Sequence, residues 1–140
     1  MAFIRTIHGD IDAKEMGVTN THEHLIRTGG AEVALHGEDM RLPFVDKAVE
    51  EARRFLAAGG KTIVDCNPIG VGRDIVKLLE VNEQLPDLNL IVTTGFHASH
   101  VYDKVVHWVV RYSVEEIADL IIAEIEEGID EHDYMGPIVK

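Results

Sequence analysis

The chain has 140 residues, of which 46% are hydrophobic and 27% are charged, and its formal net charge is −12. This composition predicts a globular protein with a core of moderate size, and it disfavours nucleic acid and anionic membranes as partners because both repel an acidic surface. The sequence contains no run of 18 apolar residues, so no transmembrane helix is predicted. The first residues do not resemble a signal peptide, and a single cysteine, Cys66, is typical of a protein in a reducing compartment. We therefore expect a cytoplasmic protein.

The first predicted elements are a small hairpin at residues 3–11 and a strand at residues 18–26. A glycine-rich polar segment at residues 27–40 is predicted to be a loop. The strand contains His22 and His24, and residues two apart in a strand point to the same side. Two imidazoles on one side of a rigid element could bind one metal ion. The spacing alone is weak evidence, because chance supplies about half such a pair in a chain with this many histidines.

Strands and helices then alternate. A helix begins at Pro43, carries apolar residues at intervals of three and four, and ends at Gly59-Gly60. A strand at residues 62–66 follows, then a helix at about residues 73–85 that Arg73 and Asp74 are expected to cap and start. A strand at residues 89–94 completes this part of the pattern.

The last third contains a loop or short helix and a longer helix. Ser113 and Glu116 have the spacing of a capping box, which predicts a helix from Ser113 to Gly128 whose carboxylates face solvent. A short apolar segment at residues 137–139, before Lys140, reads as the start of a fourth strand.

Alternating strands and helices predict an α/β fold with a parallel sheet. The first strand–helix turn has no Gly-x-Gly-x-x-Gly pattern, so a dinucleotide-binding fold has no support. A (β/α)8 barrel needs ~250 residues. The chain is therefore predicted to be either a small open sheet or a single partial domain, residues 1–140, with strands one to three and the start of strand four of a barrel.

Several motifs, in this order, resemble the phosphotriesterase family of the amidohydrolase superfamily, and its lactonase-like branch in particular. The resemblance covers nearly the whole chain, so it is much more specific than a His-x-His spacing. The motifs are Gly17-Val18-Thr19-Asn20-Thr21-His22-Glu23-His24-Leu25, Gly60-Lys61-Thr62-Ile63-Val64-Asp65, Gly70-Val71-Gly72-Arg73-Asp74, Ile91-Val92-Thr93-Thr94-Gly95-Phe96-His97, and two helical segments beginning at Ser113 and Glu124.

The resemblance implies the N-terminal half of a (β/α)8 TIM barrel with a metal pair, most simply zinc, at the carboxyl ends of the strands. It implies that His22 and His24 bind the more buried metal. Lys140 is the candidate for the carbamylated lysine that bridges both ions, and a solvated terminal lysine is the alternative. No residue of this chain is assigned a catalytic role beyond that bridge.

The resemblance also implies a substrate-facing side chain after the third strand, and His97 has that position. Tyr102 is a second substrate-binding candidate. For Tyr102, as for His100, His107 and Trp108, ordinary packing is the alternative to a specificity loop.

The implied activity is hydrolysis of a lactone, such as a sugar lactone or its phosphate, or of a carboxylic ester by metal-bound hydroxide. Organophosphate triester hydrolysis is one alternative. Another is a non-catalytic half-barrel fragment or assembly module, which would need a homo-oligomer or the missing C-terminal half. We expect this chain alone to have little or no activity.

Overall fold

The structure is a computed structural model that describes residues 2–105 and 108–129. The predicted strand at residues 137–139, His107 and Lys140 lie outside these residues. The strands are β1 (Phe3–Thr6), β2 (Gly9–Asp12), β3 (Thr19–Glu23), β4 (Thr62–Asp65) and β5 (Asn89–Val92). The α-helices are α1 (Gly30–His36), α2 (Val45–Ala57), α3 (Ile75–Glu83), α4 (Ser99–Val105) and α5 (Val114–Glu127), and short 3-10 turns occupy Ala13–Glu15, Glu38–Met40 and Trp108–Arg111.

Three of the strands form the predicted parallel sheet in the order β3-β4-β5. The central strand β4 is the most buried, with Thr62, Ile63 and Asp65 at most 2% exposed. Helix α2 connects β3 to β4 and helix α3 connects β4 to β5. The α/β class and the parallel pairing are therefore as predicted, and the carboxyl ends of all three strands lie at one edge of the sheet.

The elements are shorter than the sequence pattern predicts. Strand β3 ends at Glu23, so His24 lies one residue beyond it. The predicted hairpin is confirmed as the antiparallel pair β1–β2, and the Ile7 backbone N–H donates a hydrogen bond of 2.8 Å to the Leu90 carbonyl. The capping box is also confirmed, because the Ser113 hydroxyl accepts from the Glu116 N–H and the Glu116 carboxylate accepts from the Ser113 N–H.

The prediction of a loop at residues 27–40 is wrong, because α1 and a 3-10 turn occupy much of it. The segment after Gly30 contains good helix formers, and Ala31 is buried. The Ala31 N–H donates to the Gly70 carbonyl at 2.9 Å. A Cβ on Gly30 would lie 2.4 Å from the Gly72 backbone nitrogen, so the two glycines allow this close backbone approach.

Two compact units divide the described residues. Unit 1 contains residues 2–26, 42–66 and 76–93, and unit 2 contains residues 27–41, 67–75, 94–105 and 108–129. That they belong to a single domain remains a prediction.

Each unit has buried apolar residues of its own. In unit 1 these include Ala48, Val49 and Ala52 of α2, which recur at helical spacing. In unit 2, Ala31, Val71, Val101, Tyr102 and Val109 form one cluster, against which Phe96 and Trp108 pack. Among the described residues, the helices are too short or too polar to cross a membrane.

Candidate metal and substrate sites

The two predicted metal ligands lie close together at the carboxyl end of β3, in unit 1. The ring centroids of His22 and His24 are 5.2 Å apart, and the ring planes are nearly perpendicular at 84°. His22 is exposed and His24 is half-buried. The short distance between the two rings supports the prediction that His22 and His24 point to the same side.

The ring separation fits a shared metal ion. With a metal–nitrogen distance of about 2.0–2.1 Å and tetrahedral angles, two imidazole ligands have centroids about 5.2 Å apart. Neutral imidazole is a ligand that zinc prefers. The donor set therefore fits two of the ligands of such an ion, although the described residues contain no cluster of three or more His, Cys, Asp or Glu side chains able to hold a metal.

A β-bulge positions the histidine pair. Asn20 pairs with Ile63 and Glu23 pairs with Asp65, so two residues of β3 lie opposite one residue of β4. A bulge of this kind bends a strand and changes the direction of its side chains, and bulges are common next to functional sites.

Asn20 and Glu23 satisfy the backbone of the bulge. The Asn20 side chain accepts a hydrogen bond from the His22 N–H at 3.2 Å and donates to the Glu23 carboxylate at 3.0 Å. The other Glu23 carboxylate oxygen accepts from the His24 N–H at 2.9 Å. Sequence reasoning missed the role of Asn20, although an Asn two residues before the first histidine is a common turn-forming signal.

The neighbouring strand end contributes Asp65 and Cys66. Asp65 is 1% exposed, and its carboxylate accepts a hydrogen bond from the Leu25 N–H at 2.8 Å. Burial is the main cause of a raised pKa of the Cys66 thiol. The thiol is therefore protonated at neutral pH, which does not favour a cysteine nucleophile.

The two substrate-binding candidates lie in unit 2. The His97 backbone N–H donates a hydrogen bond to the Tyr102 hydroxyl at 2.7 Å, and that hydroxyl donates to the Ile69 carbonyl at 2.8 Å. Tyr102 is 2% exposed and has an edge-to-face contact with Phe96. The structure thus gives Tyr102 a buried packing position that supports the backbone of His97, and direct substrate contact by either residue remains a prediction.

Glu32 of α1 holds the His97 side chain. Its Oε1 lies 2.8 Å from His97 Nε2, and its Oε2 lies 3.4 Å from His36 Nε2. Sequence reasoning missed Glu32 because it assigned the segment to a loop. The spacing of Glu32 and His36, four residues apart, was the available signal for a helix.

Replacement of Tyr102 by phenylalanine is expected to lower the free energy of unfolding by ~1–3 kcal/mol, because the buried Ile69 carbonyl and the partly buried His97 N–H lose their hydrogen-bond partner. Burial raises the pKa of Tyr102 above the ordinary value for tyrosine, which is about 10. The unfolded state therefore loses the phenol proton first as the pH rises past 10, and stability falls through that range.

Urea denaturation at pH ~8 and ~10.5 measures both effects. Wild type should lose more stability between these pH values than Tyr102→Phe. Tyr112→Phe serves as the matched control and should lose as much as wild type. An equal pH dependence in all three proteins would contradict the assignment.

The fold and the histidine pair define a class of protein: an α/β chain in which two histidines able to bind a metal ion lie at the carboxyl end of one parallel strand. Comparison with known proteins gives the family. The profile of the phosphotriesterase family matches residues 2–140. The chain belongs to the phosphotriesterase family.

The chain is similar to individual members over almost its entire length. It is 44% identical to a protein of Mycoplasmopsis synoviae named phospho-furanose lactonase, and the match covers 99% of this chain and 39% of that protein. It is 34% identical to an aryldialkylphosphatase of Saccharolobus solfataricus, over 85% of this chain and 37% of that protein. The crystal structure of an amidohydrolase from Mycoplasma synoviae matches with a TM-score of 0.91 and 43% identity, over 99% of this chain and 39% of that structure.

The chain therefore spans about two fifths of the length of the relatives that it matches. Its fold is that of the N-terminal part of the family's (β/α)8 barrel, which confirms this alternative over the small open sheet.

Proposed function

We propose that the whole protein carrying this chain is a metal-dependent hydrolase of lactones, with a sugar lactone or its phosphate as substrate. The observation that carries the proposal is the geometry of His22 and His24 at the end of β3, in a chain of the phosphotriesterase family. The 44% identity to a protein named phospho-furanose lactonase supports the substrate class.

In this proposal His22 and His24 are ligands of a divalent metal, with zinc favoured by the imidazole donors. Lys140 is proposed as the bridging ligand on the family resemblance. When bound, a metal pair lowers the pKa of a shared water and polarises the scissile carbonyl. The chain's own residues orient the ligands: Asn20 and Glu23 hold the backbone at both histidines through the hydrogen bonds described above.

His97 is proposed to contact the substrate, and Tyr102 to act with it. The His97 side chain is 49% exposed, while its backbone N–H is held by Tyr102. An exposed imidazole on a fixed backbone suits recognition of a polar substrate such as a sugar lactone, because little conformational entropy is lost on binding.

A comparison of two substrate classes tests the function. The whole protein should hydrolyse a phosphorylated sugar lactone with a kcat/KM at least ~100-fold above that for a dialkyl aryl phosphate triester, a difference of about 2.7 kcal/mol in transition-state stabilisation. A chelator should abolish the lactone activity. Triester turnover well above lactone turnover would overturn the proposal.

Triester hydrolysis is the second candidate function. It is favoured by the 34% identity to a protein named aryldialkylphosphatase, and the same metal chemistry serves both reactions.

A polypeptide limited to these 140 residues is proposed to have little or no activity and to act, if at all, as a half-barrel module that needs a second copy or the remaining part of the barrel. We propose a cytoplasmic location for the whole protein, because Cys66 has no second cysteine in this chain with which to form a disulfide. Metal analysis of the 140-residue polypeptide tests whether it lacks a complete metal site and therefore activity. Two tightly bound metal ions per chain would contradict this expectation.

A further inference from the structure

The contact between Glu32 and His97 joins two segments of unit 2 that are far apart in the sequence. The Glu32 side chain is 12% exposed, whereas that of His97 is 49% exposed. The 2.8 Å distance between Glu32 Oε1 and His97 Nε2 places the carboxylate oxygen within hydrogen-bond reach of that ring nitrogen. A largely buried carboxylate therefore holds one nitrogen of a half-exposed imidazole.

This contact decides where the imidazole carries its proton. An ionised carboxylate only accepts hydrogen bonds, so His97 Nε2 must donate. In neutral His97 the proton is then on Nε2, and Nδ1 has the free lone pair. Nδ1 is thereby prepared to accept a hydrogen bond.

The backbone of His97 is fixed as well. The Tyr102 hydroxyl accepts a hydrogen bond of 2.7 Å from the His97 N–H. Tyr102 is itself only 2% exposed and is packed among apolar side chains. His97 is thus held at its backbone by Tyr102 and at Nε2 by Glu32. These two contacts limit rotation of the ring and leave Nδ1 as the nitrogen that can bind a ligand.

We propose that Glu32 is a positioning residue that fixes the Nε2–H tautomer of His97, so that Nδ1 accepts a hydrogen bond from a hydroxyl group of the substrate. The proposal rests on the proposed lactonase function and deepens it. The hydrogen bond to His97 Nδ1 favours lactones that carry hydroxyl groups over lactones that carry none, because only a hydroxyl group can donate to Nδ1.

Nitrogen-15 NMR of the histidine side chains tests the tautomer without reference to activity. In the whole protein, the signals of neutral His97 should be those of the Nε2–H tautomer. Its signals are identified by their loss in His97→Gln. In Glu32→Gln the amide offers both a donor and an acceptor, so a mixture with the Nδ1–H form is expected. The Nδ1–H tautomer as the main form in wild type would overturn the proposal.

Steady-state kinetics test the substrate contact. Glu32→Gln should raise KM for a hydroxylated sugar lactone by ~10-fold with kcat within ~2-fold, and should leave KM for an unsubstituted lactone of the same ring size unchanged. Glu32→Asp keeps the charge and should restore the Nε2–H tautomer in part. The matched control is His36→Ala, because His36 is 57% exposed and contacts the other carboxylate oxygen at 3.4 Å; it should change neither constant.

The outcomes separate the two proposals. An equal rise of KM for both lactones would assign Glu32 a structural role only and overturn the inference. Absence of lactone turnover in wild type would overturn the proposed function and the substrate contact with it, while the tautomer measurement would still decide the role of Glu32.

Discussion

Replacement of Arg73 by methionine is expected to lower the free energy of unfolding by ~3–5 kcal/mol, because it leaves the Glu124 carboxylate buried without its cation. The two side chains are each 2% exposed. They form a bidentate pair, with Nη2 to Oε1 at 2.5 Å and Nη1 to Oε2 at 3.2 Å, and the Thr94 hydroxyl also donates to Glu124 Oε2. Urea denaturation measures the loss.

Arg54 provides a matched control. It pairs with Glu50 at 2.5 Å and with Glu51 at 3.0 Å, but its side chain is 66% exposed. Arg54→Met should therefore cost less than ~1 kcal/mol. The double variant Arg73→Met with Glu124→Leu should recover most of the loss, because both charges of the buried pair are then removed. Equal destabilisation by Arg73→Met and Arg54→Met would contradict the burial argument.

Replacement of His22 or His24 by alanine is expected to reduce both metal content and lactone turnover in the whole protein, with kcat/KM falling by more than ~100-fold. Loss of a residue that only orients a ligand already costs 10–100-fold, and loss of the ligand itself should cost more. Metal analysis by mass spectrometry and steady-state kinetics on the same samples measure the two effects.

His8→Ala is the control for this pair, because His8 is exposed in the turn between β1 and β2. It should leave both metal content and turnover within ~2-fold of wild type. Thermal unfolding of each variant separates a lost ligand from a lost fold, since an exposed His22 should cost little stability. Variants at His22 and His24 that retain full metal and activity within tenfold of wild type would disprove the ligand assignment.

Local patterns in the sequence were sufficient for most of the fold. The hairpin, the three parallel strands, helices α2 and α3 and the capping box at Ser113 all follow from periodicity and short signals that act within a few residues. The bounds were less accurate, because β3 ends before His24 and α2 begins at Val45 rather than at Pro43. Strand and helix ends depend on pairing partners that periodicity does not contain.

Contacts between distant segments were not predictable in the same way. Arg73 was expected to cap a helix and Glu124 to face solvent, yet the two form a buried ion pair. A charged residue on a helix is normally exposed, so the pattern of α5 favoured the wrong face for Glu124. Only the packing of α5 within unit 2 provides the buried partner.

The sequence by itself determined the α/β class, the family resemblance and the two metal-type histidines, because each depends on residues close together in the chain. Tertiary structure decided how these residues are held: the bulge that pairs the rings of His22 and His24, and the Glu32 carboxylate that holds His97. The reason is physical. A hydrogen bond between side chains of distant segments exists only when folding brings their atoms within about 3 Å, and no local pattern records that distance.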